Sequence, residues 1–437
     1  MQAEPDTVRT EHGHQPLPEE VDVVVIGGGV VGVTTAIFLS RAGQRVAVLE
    51  KGRIAGEQSS RNWGWIRKQG RDKRELPVML ESVRQWERLG KEVGENIGLG
   101  RRSTTYLALN EKELAARLDW LDSVREFQLD TKLLSSAETD ELLGRNDRAF
   151  AGALHTPSDM TAEPRLAVPA LARLAASEGV FVLESCAVRT VERHGGRVGS
   201  VITERGEVTC QSVVLAGGAW SRTFLENLGV FIPQLAVRST ALRTTPAPLI
   251  HPGGLGATGA SVRRRDDGGY TIGRTNAAHF EVVPAAIRHF ARFLPVMASR
   301  LPTTKVRFGP SFFGPLGRHR WKGDEKTPFE AVRVFDPSPD QKLAADTFAT
   351  AKRHHPGLGE AKILEAWAGM IDVTPDEVPI VDELGIPGLY VATGLSGHGF
   401  GIGPGIGRLT ADLVLNRGPV VDPTPFRAAR FGIQSAA

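Results

Sequence analysis

The chain has 437 residues, 41% of them hydrophobic and 24% charged, which is enough for two or three domains with a large buried core. Lys and Arg number 53 against 50 Asp and Glu, and this near balance argues against a dedicated nucleic-acid-binding protein. Two cysteines, Cys186 and Cys210, exclude a disulfide framework and a multi-cysteine metal site, and we expect no metal.

Glycine is in excess, with 49 residues, since the average composition is about 7% glycine. Such an excess indicates either disorder or many positions at which the backbone must approach a ligand closely. The positions of these glycines relative to the predicted strands distinguish the two possibilities.

The first 20 residues predict a mobile tail, because they are polar and contain several prolines. They lack the basic start and the apolar run of a signal peptide. The apolar stretches that follow are interrupted well before the roughly 18 residues that a membrane span needs. We therefore expect a cytoplasmic protein without a membrane span.

The first regular elements form a strand–helix–strand unit. Val21–Ile26 is a short, β-branched apolar run, typical of a strand that is buried on both faces. The stretch that follows has helical spacing and stops at Gly43, and Gln44–Leu49 is a second buried strand. This arrangement predicts an α/β fold with a Rossmann-type domain.

The turn between the first strand and the helix carries the motif Gly27-x-Gly29-x-x-Gly32. Its glycines permit a tight turn, the approach of a pyrophosphate and close packing of the helix on the strand. Glu50, at the tip of the second strand, can accept hydrogen bonds from a ribose hydroxyl. The combination predicts a dinucleotide site, which the motif alone does not assign to NAD or to FAD.

Two later features favour FAD. Ser212–Ala216 is another buried strand and ends in Gly217-Gly218, like the second strand that flavoproteins place near the adenosine half. Gly388–Ala392 is a strand followed by a predicted glycine loop to Gly407 and then a helix. A helix start at that place could stabilise negative charge on a flavin ring.

Four blocks of sequence resemble the D-amino acid oxidase superfamily. They are VDVVVIGGGVVGVTTAIFLSRAGQRVAVLEK at the start, GALHTPSDMTAEPR from Gly152, VVLAGGAWS from Val213, and the stretch from Thr374 to Val414. The chain is most similar to the glycine oxidase, sarcosine oxidase and D-amino acid dehydrogenase branch, with an iminodiacetate oxidase-like member as one option.

The resemblance implies a small carboxylate-bearing amine as substrate, such as sarcosine, glycine or iminodiacetate. Its C–N bond would be oxidised by hydride transfer to flavin N5, giving an imine that hydrolyses. The expected acceptor is O2. The alternatives are a D-amino acid or opine dehydrogenase that passes electrons to a quinone or partner protein, a flavin-binding regulatory protein, and an NAD-linked dehydrogenase. An oligomer is possible in each case.

The motif and the resemblance together imply a set of cofactor-binding residues. These are Gly27, Gly29, Val30, Val31, Gly32, Glu50, Lys51, Ser59, Ser60, Val188, Gly217, Gly218, Trp220, Gly397, Gly399, Phe400 and Gly401. The candidate catalytic residues are Arg67, by carry-over from the family, Arg274, after a predicted strand, and His398, between two glycines. A surface position for either arginine and a structural role for the histidine are the alternatives.

Two departures from the family pattern are informative. No cysteine precedes the stretch from Thr374 to Glu377, where covalent sarcosine oxidases attach the flavin, so we predict non-covalent FAD. Gly401 stands where those enzymes have a lysine after the GHGF motif, so other groups must bind the substrate carboxylate. If two arginines converge on the pocket, the substrate could carry two carboxylates, as iminodiacetate or an opine does.

The domains are expected to interleave along the chain. The FAD-binding domain would collect residues 21–75, 152–225 and 360–430. The substrate-binding domain would take residues 76–151 and 226–359 and would be built on an antiparallel sheet, because residues 230–310 alternate polar and apolar side chains.

Overall fold

The computed structural model describes residues 15–275, 277–300, 304–317 and 320–434. Residues 1–14 of the predicted tail lie outside the described residues. Residues 15–20 contact the rest of the protein: the Gln15 side chain accepts a hydrogen bond from the Val182 backbone at 3.2 Å, and Glu20 forms a β-bridge with Thr209. This part of the predicted tail therefore lies against the protein.

The described residues alternate strands and helices along the chain. The strands are β1 Val23–Ile26, β2 Val46–Leu49, β3 Trp65–Ile66, β4 Gly100–Arg101, β5 Thr104–Ala108, β6 Lys132–Ser135, β7 Gly152–Thr156, β8 Met160–Thr161, β9 Phe181–Leu183, β10 Val188–His194, β11 Arg197–Thr203, β12 Gly206–Thr209, β13 Ser212–Leu215, β14 Leu235–Thr244, β15 Gly254–Ala257, β16 Ala260–Arg264, β17 Tyr270–Gly273, β18 Ala278–Glu281, β19 Thr304–Arg307, β20 Ile363–Val373, β21 Ile380–Glu383 and β22 Leu389–Thr393. The helices are α1 Val30–Arg41, α2 Gln58–Arg61, α3 Leu76–Glu92, α4 Glu111–Ser123, α5 Ser136–Leu143, α6 Pro164–Ser177, α7 Ser221–Asn227, α8 Pro284–Arg288, α9 Phe290–Arg300, α10 Pro328–Ala331, α11 Gln341–His354 and α12 Gly399–Val414.

A six-stranded sheet forms the first half of the fold, in the order β21-β22-β13-β1-β2-β9. All neighbours in it are parallel except β21 and β22. The central strand β1 is nearly continuous valine because helices cover one face and the small sheet β10-β11-β12 covers the other. This sheet is the predicted Rossmann-type sheet.

A ten-stranded sheet forms the second half, in the order β19-β18-β14-β17-β16-β15-β5-β7-β6, with β20 paired along β14. Most of its pairs are antiparallel, while β15–β5 and β18–β19 are parallel. The predicted combination of a Rossmann-type sheet and an antiparallel sheet is therefore confirmed. Within the described residues, no helix has both the length and the apolar character needed to cross a membrane.

Two strands from the ranges expected in the FAD-binding domain belong to the ten-stranded sheet. They are β7, over residues 152–156, and β20, over residues 363–373. Strand β20 is 11 residues long and pairs with β14 over its whole length, from Val373 to Ile363. Met370 and Asp372 of β20 line a cavity at the six-stranded sheet, so this strand contacts both sheets.

The predicted glycine loop before the last helix is wrong over Gly399–Gly407, since α12 begins at Gly399. These glycines serve close helix packing. A Cβ on Gly405 would lie 2.3 Å from the Val78 carbonyl of α3, and one on Gly407 would lie 2.3 Å from Thr34 Oγ1 of α1. Some of the excess glycines therefore allow close packing between helices and do not contact a ligand.

Candidate active site

A cavity of about 150 Å³ lies at the carboxyl ends of β1, β2, β13 and β22, where α1 begins. The glycine turns after β1 and β13 form part of its wall, and side chains such as those of Glu50, Lys51 and Trp220 form the rest. Parallel α/β sheets bind ligands at this edge, because helix N-termini and strand ends converge there. The position is the one that the motif predicts for a dinucleotide.

Close packing around Gly32 fixes the turn. A Cβ on Gly32 would lie 2.0 Å from the Gly27 carbonyl oxygen, so any larger residue would push α1 away. Gly27 has φ +112°, which side chains rarely allow, and a Cβ there would meet the Ala216 carbonyl at 2.5 Å. Both glycines therefore shape the cavity through the backbone.

The Glu50 carboxylate is held in place by two backbone donors. Gly28 N–H donates to Oε2 at 2.8 Å, and Gly52 N–H donates to Oε1 at 2.7 Å. Burial raises the pKa of Glu50, while these donors and the charge of Lys51 oppose the rise. Each oxygen keeps a free lone pair for a hydroxyl donor.

An ion pair that the sequence did not reveal closes one side of this cavity. Lys51 Nζ lies 2.7 Å from Glu57 Oε1 and 4.3 Å from the ring centroid of Trp220. Trp220 Nε1 in turn donates to both oxygens of Glu57 at 3.0 Å. Glu57 holds both residues in place, and no spacing in the sequence pointed to it.

Most of the predicted cofactor residues meet at this cavity. Those on its wall are Gly27, Gly29, Val30, Val31, Glu50, Lys51, Ser59, Val188, Gly217, Gly218, Trp220, Gly397, Gly399 and Phe400. Ser59 Oγ accepts a hydrogen bond from Val30 N–H at 3.0 Å.

Three predicted cofactor residues lie elsewhere. Gly32 packs against the turn behind the wall, and Ser60 donates to the Glu57 carbonyl at 3.2 Å. Gly401 is inside α12, and its carbonyl accepts hydrogen bonds from Ser82 and Trp86. Gly401 lines the second cavity instead.

The second cavity has a volume of about 630 Å³ and shares Gln58, Asn62, Gly397 and Phe400 with the first. One wall is apolar and comes from β14, β18, α9 and β20. A second wall is aromatic and includes Trp63 and Trp65. A ligand in this cavity would touch a ligand in the first.

The three candidate catalytic residues, Arg67, Arg274 and His398, all line the second cavity. Arg117 of α4 joins them, although no motif in the sequence selects it. Among the described residues, Arg67, Arg117 and Arg274 form no ion pair with an acidic group. Unpaired guanidinium groups in a cavity favour an anionic ligand.

His398 lies where the two cavities meet. Its Nδ1 is 3.5 Å from Glu75 Oε1, and its carbonyl accepts a hydrogen bond from Arg71 Nη2 at 3.2 Å. Arg71 Nη1 is also 3.6 Å from Glu75 Oε2. Burial raises the pKa of Glu75, but His398 and Arg71 together hold it below its ordinary value.

A match to the family described as FAD dependent oxidoreductase covers residues 22–413. The chain belongs to this family. Its members oxidise amino acids and amines with FAD, so the chain is an FAD-dependent oxidoreductase.

Individual proteins are similar over nearly the whole chain. The structure of L-amino acid deaminase from Proteus myxofaciens in complex with anthranilate has a TM-score of 0.92 and 30% identity, covering 99% of this chain and 98% of that one. Sarcosine oxidase subunit beta from Arthrobacter is 26% identical over 95% of this chain and 92% of its own length. The 4-methylaminobutanoate oxidase of Paenarthrobacter nicotinovorans is 27% identical over 97% of this chain, which spans about half (47%) of that protein.

The residues at the first cavity fit FAD. The N-termini of α1 and α12 both face it, which suits a pyrophosphate at one end and electron-rich flavin oxygens at the other. The fixed carboxylate of Glu50 suits a ribose, and Val188 and Leu215 provide apolar walls for an adenine. The second cavity then adjoins the flavin end through Gly397 and Phe400.

Proposed function

We propose that this protein oxidises the C–N bond of an amino acid or N-substituted amino acid that is larger than glycine or sarcosine. The second cavity carries this proposal, because its 630 Å³ adjoin the cofactor cavity and hold unpaired arginines. Cavities of about 300–1,000 Å³ suit ligands much larger than glycine. The size therefore favours a substrate with a long or bulky substituent, and makes glycine and sarcosine poor candidates.

The substrate carboxylate is assigned to Arg274 in this proposal. The guanidinium lines the cavity at the end of β17, forms no ion pair within the described residues, and can bind a carboxylate through two parallel hydrogen bonds. Trp63 packs against Gly273, the residue before Arg274, since a Cβ on Gly273 would lie 2.2 Å from the Trp63 ring. The indole of Trp63 therefore borders the proposed carboxylate site. Substrate would thus be held with its carbon α next to the shared wall of the two cavities.

When bound, FAD accepts a hydride from the carbon attached to the substrate nitrogen. The protein's part is to position the substrate and to exclude water. The N-terminus of α12 directs the positive end of the helix dipole at the shared wall, and His398 is the residue that precedes this helix. The resulting imine would hydrolyse after release. The L-amino acid deaminase and the amine oxidases to which the chain is similar support an amino acid or N-methyl amino acid as substrate.

We propose that FAD is held without a covalent bond. Among the described residues that line the cofactor cavity there is no cysteine, histidine or tyrosine. Cys186 and Cys210 are both buried in the core that packs against the small sheet β10-β11-β12, and neither lines the cofactor cavity. Burial raises their pKa values to about 11 and about 12. Neither thiol is placed to attack a flavin.

The proposed electron acceptor is O2, and transfer to a quinone or partner protein is the second candidate. An exposed apolar surface favours the second candidate. Phe308 and Phe313 are 77% and 85% exposed, and Ile287 and Phe290 on neighbouring helices are also exposed. Apolar surface of this kind marks contact with a partner or membrane. An oxygen electrode beside an artificial-dye assay distinguishes the acceptors.

The experiment that tests the function is anaerobic mixing of the holoenzyme with amino acids of both hands and with N-alkyl amino acids. Loss of the visible flavin absorbance identifies a substrate. We expect larger amino acids to bleach the flavin at least 10-fold more efficiently than glycine or sarcosine, since each lost apolar contact lowers binding. Fast bleaching by glycine or sarcosine and none by larger amino acids would contradict the proposal.

A further inference from the structure

The floor of the substrate cavity is a row of aromatic rings laid across the ten-stranded sheet. The strand register places Gly273, Ser261, Gly256 and Tyr106 side by side on β17, β16, β15 and β5. Residues in such a row share one face of the sheet. Three of the four positions carry glycine or serine, so this face leaves room for side chains from another segment.

Trp63 and Trp65 from the loop after α2 fill that room. A Cβ on Gly273 would lie 2.2 Å from the Trp63 ring, and one on Gly254 would lie 2.8 Å from the Trp65 ring. The ring centroids of Trp63 and Trp65 are 6.0 Å apart, and those of Trp65 and Tyr106 are 5.9 Å apart. The three rings therefore form a continuous edge-to-face row, which we call the aromatic floor.

Each end of the aromatic floor has cationic side chains. Arg274 directly follows Gly273, beside Trp63. At the opposite end, the guanidinium carbons of Arg67 and Arg117 lie 5.6 Å and 5.2 Å from the ring centroid of Tyr106. Three strand spacings of about 4.8 Å separate the backbones at the two ends, or about 14 Å along the sheet. The arginine side chains extend from both ends and shorten this span, so we expect the two ends to bind two carboxylates of one substrate.

Three of the acidic residues that line the cavity pair with other arginines. Asp72 and Asp376 both pair with Arg74, at 2.8 Å and 2.9 Å. Glu75 pairs with Arg71. Burial lowers the pKa of Arg117, and the charge of Glu113 opposes this shift only in part, so an anion in the cavity would offset the remaining cost.

We propose that Arg67 and Arg117, stacked on Tyr106, form a second anion subsite, so that the preferred substrate carries a second acidic group. Its carbon chain lies along the aromatic floor, with the α-carboxylate at Arg274 and the distal acid at Tyr106. This inference rests on the proposed function and names the substrate class: amino acids or secondary amines with two well-separated carboxylates.

Turnover of matched substrates tests the subsite. 2-Aminoadipate and 2-aminohexanoate have the same six-carbon chain and differ in the terminal carboxylate, and 2-aminopimelate and 2-aminoheptanoate extend the comparison by one carbon. We expect the holoenzyme to use the dicarboxylates roughly 10- to 100-fold more efficiently in kcat/KM, the range that a charge-assisted pair provides. Equal use of both members of each pair would overturn the inference.

Arginine variants locate the effect. Arg117→Gln and Arg67→Gln should each lower kcat/KM for the dicarboxylates about tenfold or more relative to the neutral amino acids of the same length. Arg264→Gln is a matched control, since Arg264 also stacks on a tyrosine, Tyr270 at 5.0 Å, and donates to a backbone carbonyl outside the cavity. An equal loss for acidic and neutral substrates would assign the arginines a structural role and contradict the subsite.

Binding without turnover separates this inference from the proposed function. Adipate and pimelate, but not hexanoate, should perturb the flavin spectrum or quench tryptophan fluorescence of the holoenzyme, and Arg117→Gln should abolish the difference. If no amine bleaches the flavin but the dicarboxylates still bind in this way, the proposed oxidation fails and the subsite stands. If neutral amino acids bleach the flavin and the dicarboxylates show no advantage in either assay, the subsite fails and the oxidation stands.

Discussion

The two cavities that meet at Gln58, Asn62, Gly397 and Phe400 are built from different parts of the chain. The cofactor cavity lies at the ends of parallel strands, where glycine turns allow close approach to the backbone. The substrate cavity is formed mainly by side chains that β14, β17, α4 and two loops bring together from distant positions. Replacing a closely packed glycine should therefore destroy the cofactor cavity. Single side-chain substitutions should alter the substrate cavity and leave the cofactor cavity intact.

The largest effect is expected from Gly32→Ala. The added Cβ would lie 2.0 Å from the Gly27 carbonyl, so α1 must move away from the turn. We expect a cost of about 3 kcal/mol or more from overpacking, with most of the bound flavin lost. The visible flavin absorbance per mole of purified protein measures this.

Gly418→Ala is the control for that variant, because a Cβ there meets nothing within 4 Å. It should keep full flavin content and the thermal midpoint of the natural protein. Normal flavin content in the Gly32→Ala protein would show that the turn accommodates the added Cβ, and would contradict this prediction.

The contrast between the cavities also decides what the sequence could predict. The cofactor half follows from short motifs, since Gly27, Gly29, Gly32 and Glu50 lie within one strand–helix–strand unit and the register of parallel strands brings them together. The fold class follows from the same periodicity.

The substrate half could be predicted only in fragments. Arg67, Arg274 and His398 were predicted from motifs and line the cavity. Arg117 and Tyr106 come from elements whose place depends on pairing between β15 and β5, about 150 residues apart in sequence. Glu57 and Glu75 act through contacts that carry no local signal. The glycines of α12 show the opposite problem, because the same residue type serves a ligand at Gly397 and helix packing at Gly405.

Arg274→Ala should impair substrate binding and leave FAD binding unchanged. Loss of a charge-assisted carboxylate contact costs about 1.5–3 kcal/mol, so kcat/KM should fall roughly 10- to 100-fold. Flavin content and thermal midpoint should be unchanged. Arg84→Ala, on an exposed face of α3, is the control and should have no effect. If Arg274→Ala keeps a normal KM for the best substrate, Arg274 does not bind the substrate carboxylate.

Glu75→Gln tests the boundary between the cavities through pH. The folded-state pKa of Glu75 lies below its ordinary value, so the folded protein binds fewer protons there than the unfolded chain. Its contribution to stability is present above the ordinary pKa of about 4.3 and is lost as pH falls below it. The natural protein should therefore lose more stability than Glu75→Gln on acidification through this range. Thermal melts of the holoenzymes at several pH values measure the difference. Parallel acid losses in the two proteins would separate Glu75 from His398 energetically.

The smallest effect is expected from the double variant Cys186→Ala, Cys210→Ala. Both thiols are buried away from the two cavities, so flavin content and kcat/KM should match those of the natural protein. The lost side-chain atoms should cost about 1 kcal/mol of stability for each small cavity that remains. Acid precipitation should release FAD into the supernatant from both proteins, because no cysteine, histidine or tyrosine is among the described residues that line the cofactor cavity. Flavin that stays in the pellet of the natural protein but not of the variant would assign a thioether bond to one of these cysteines. Flavin retained in both pellets would place a covalent bond elsewhere, and His398, at the boundary of the two cavities, would be the first residue to replace.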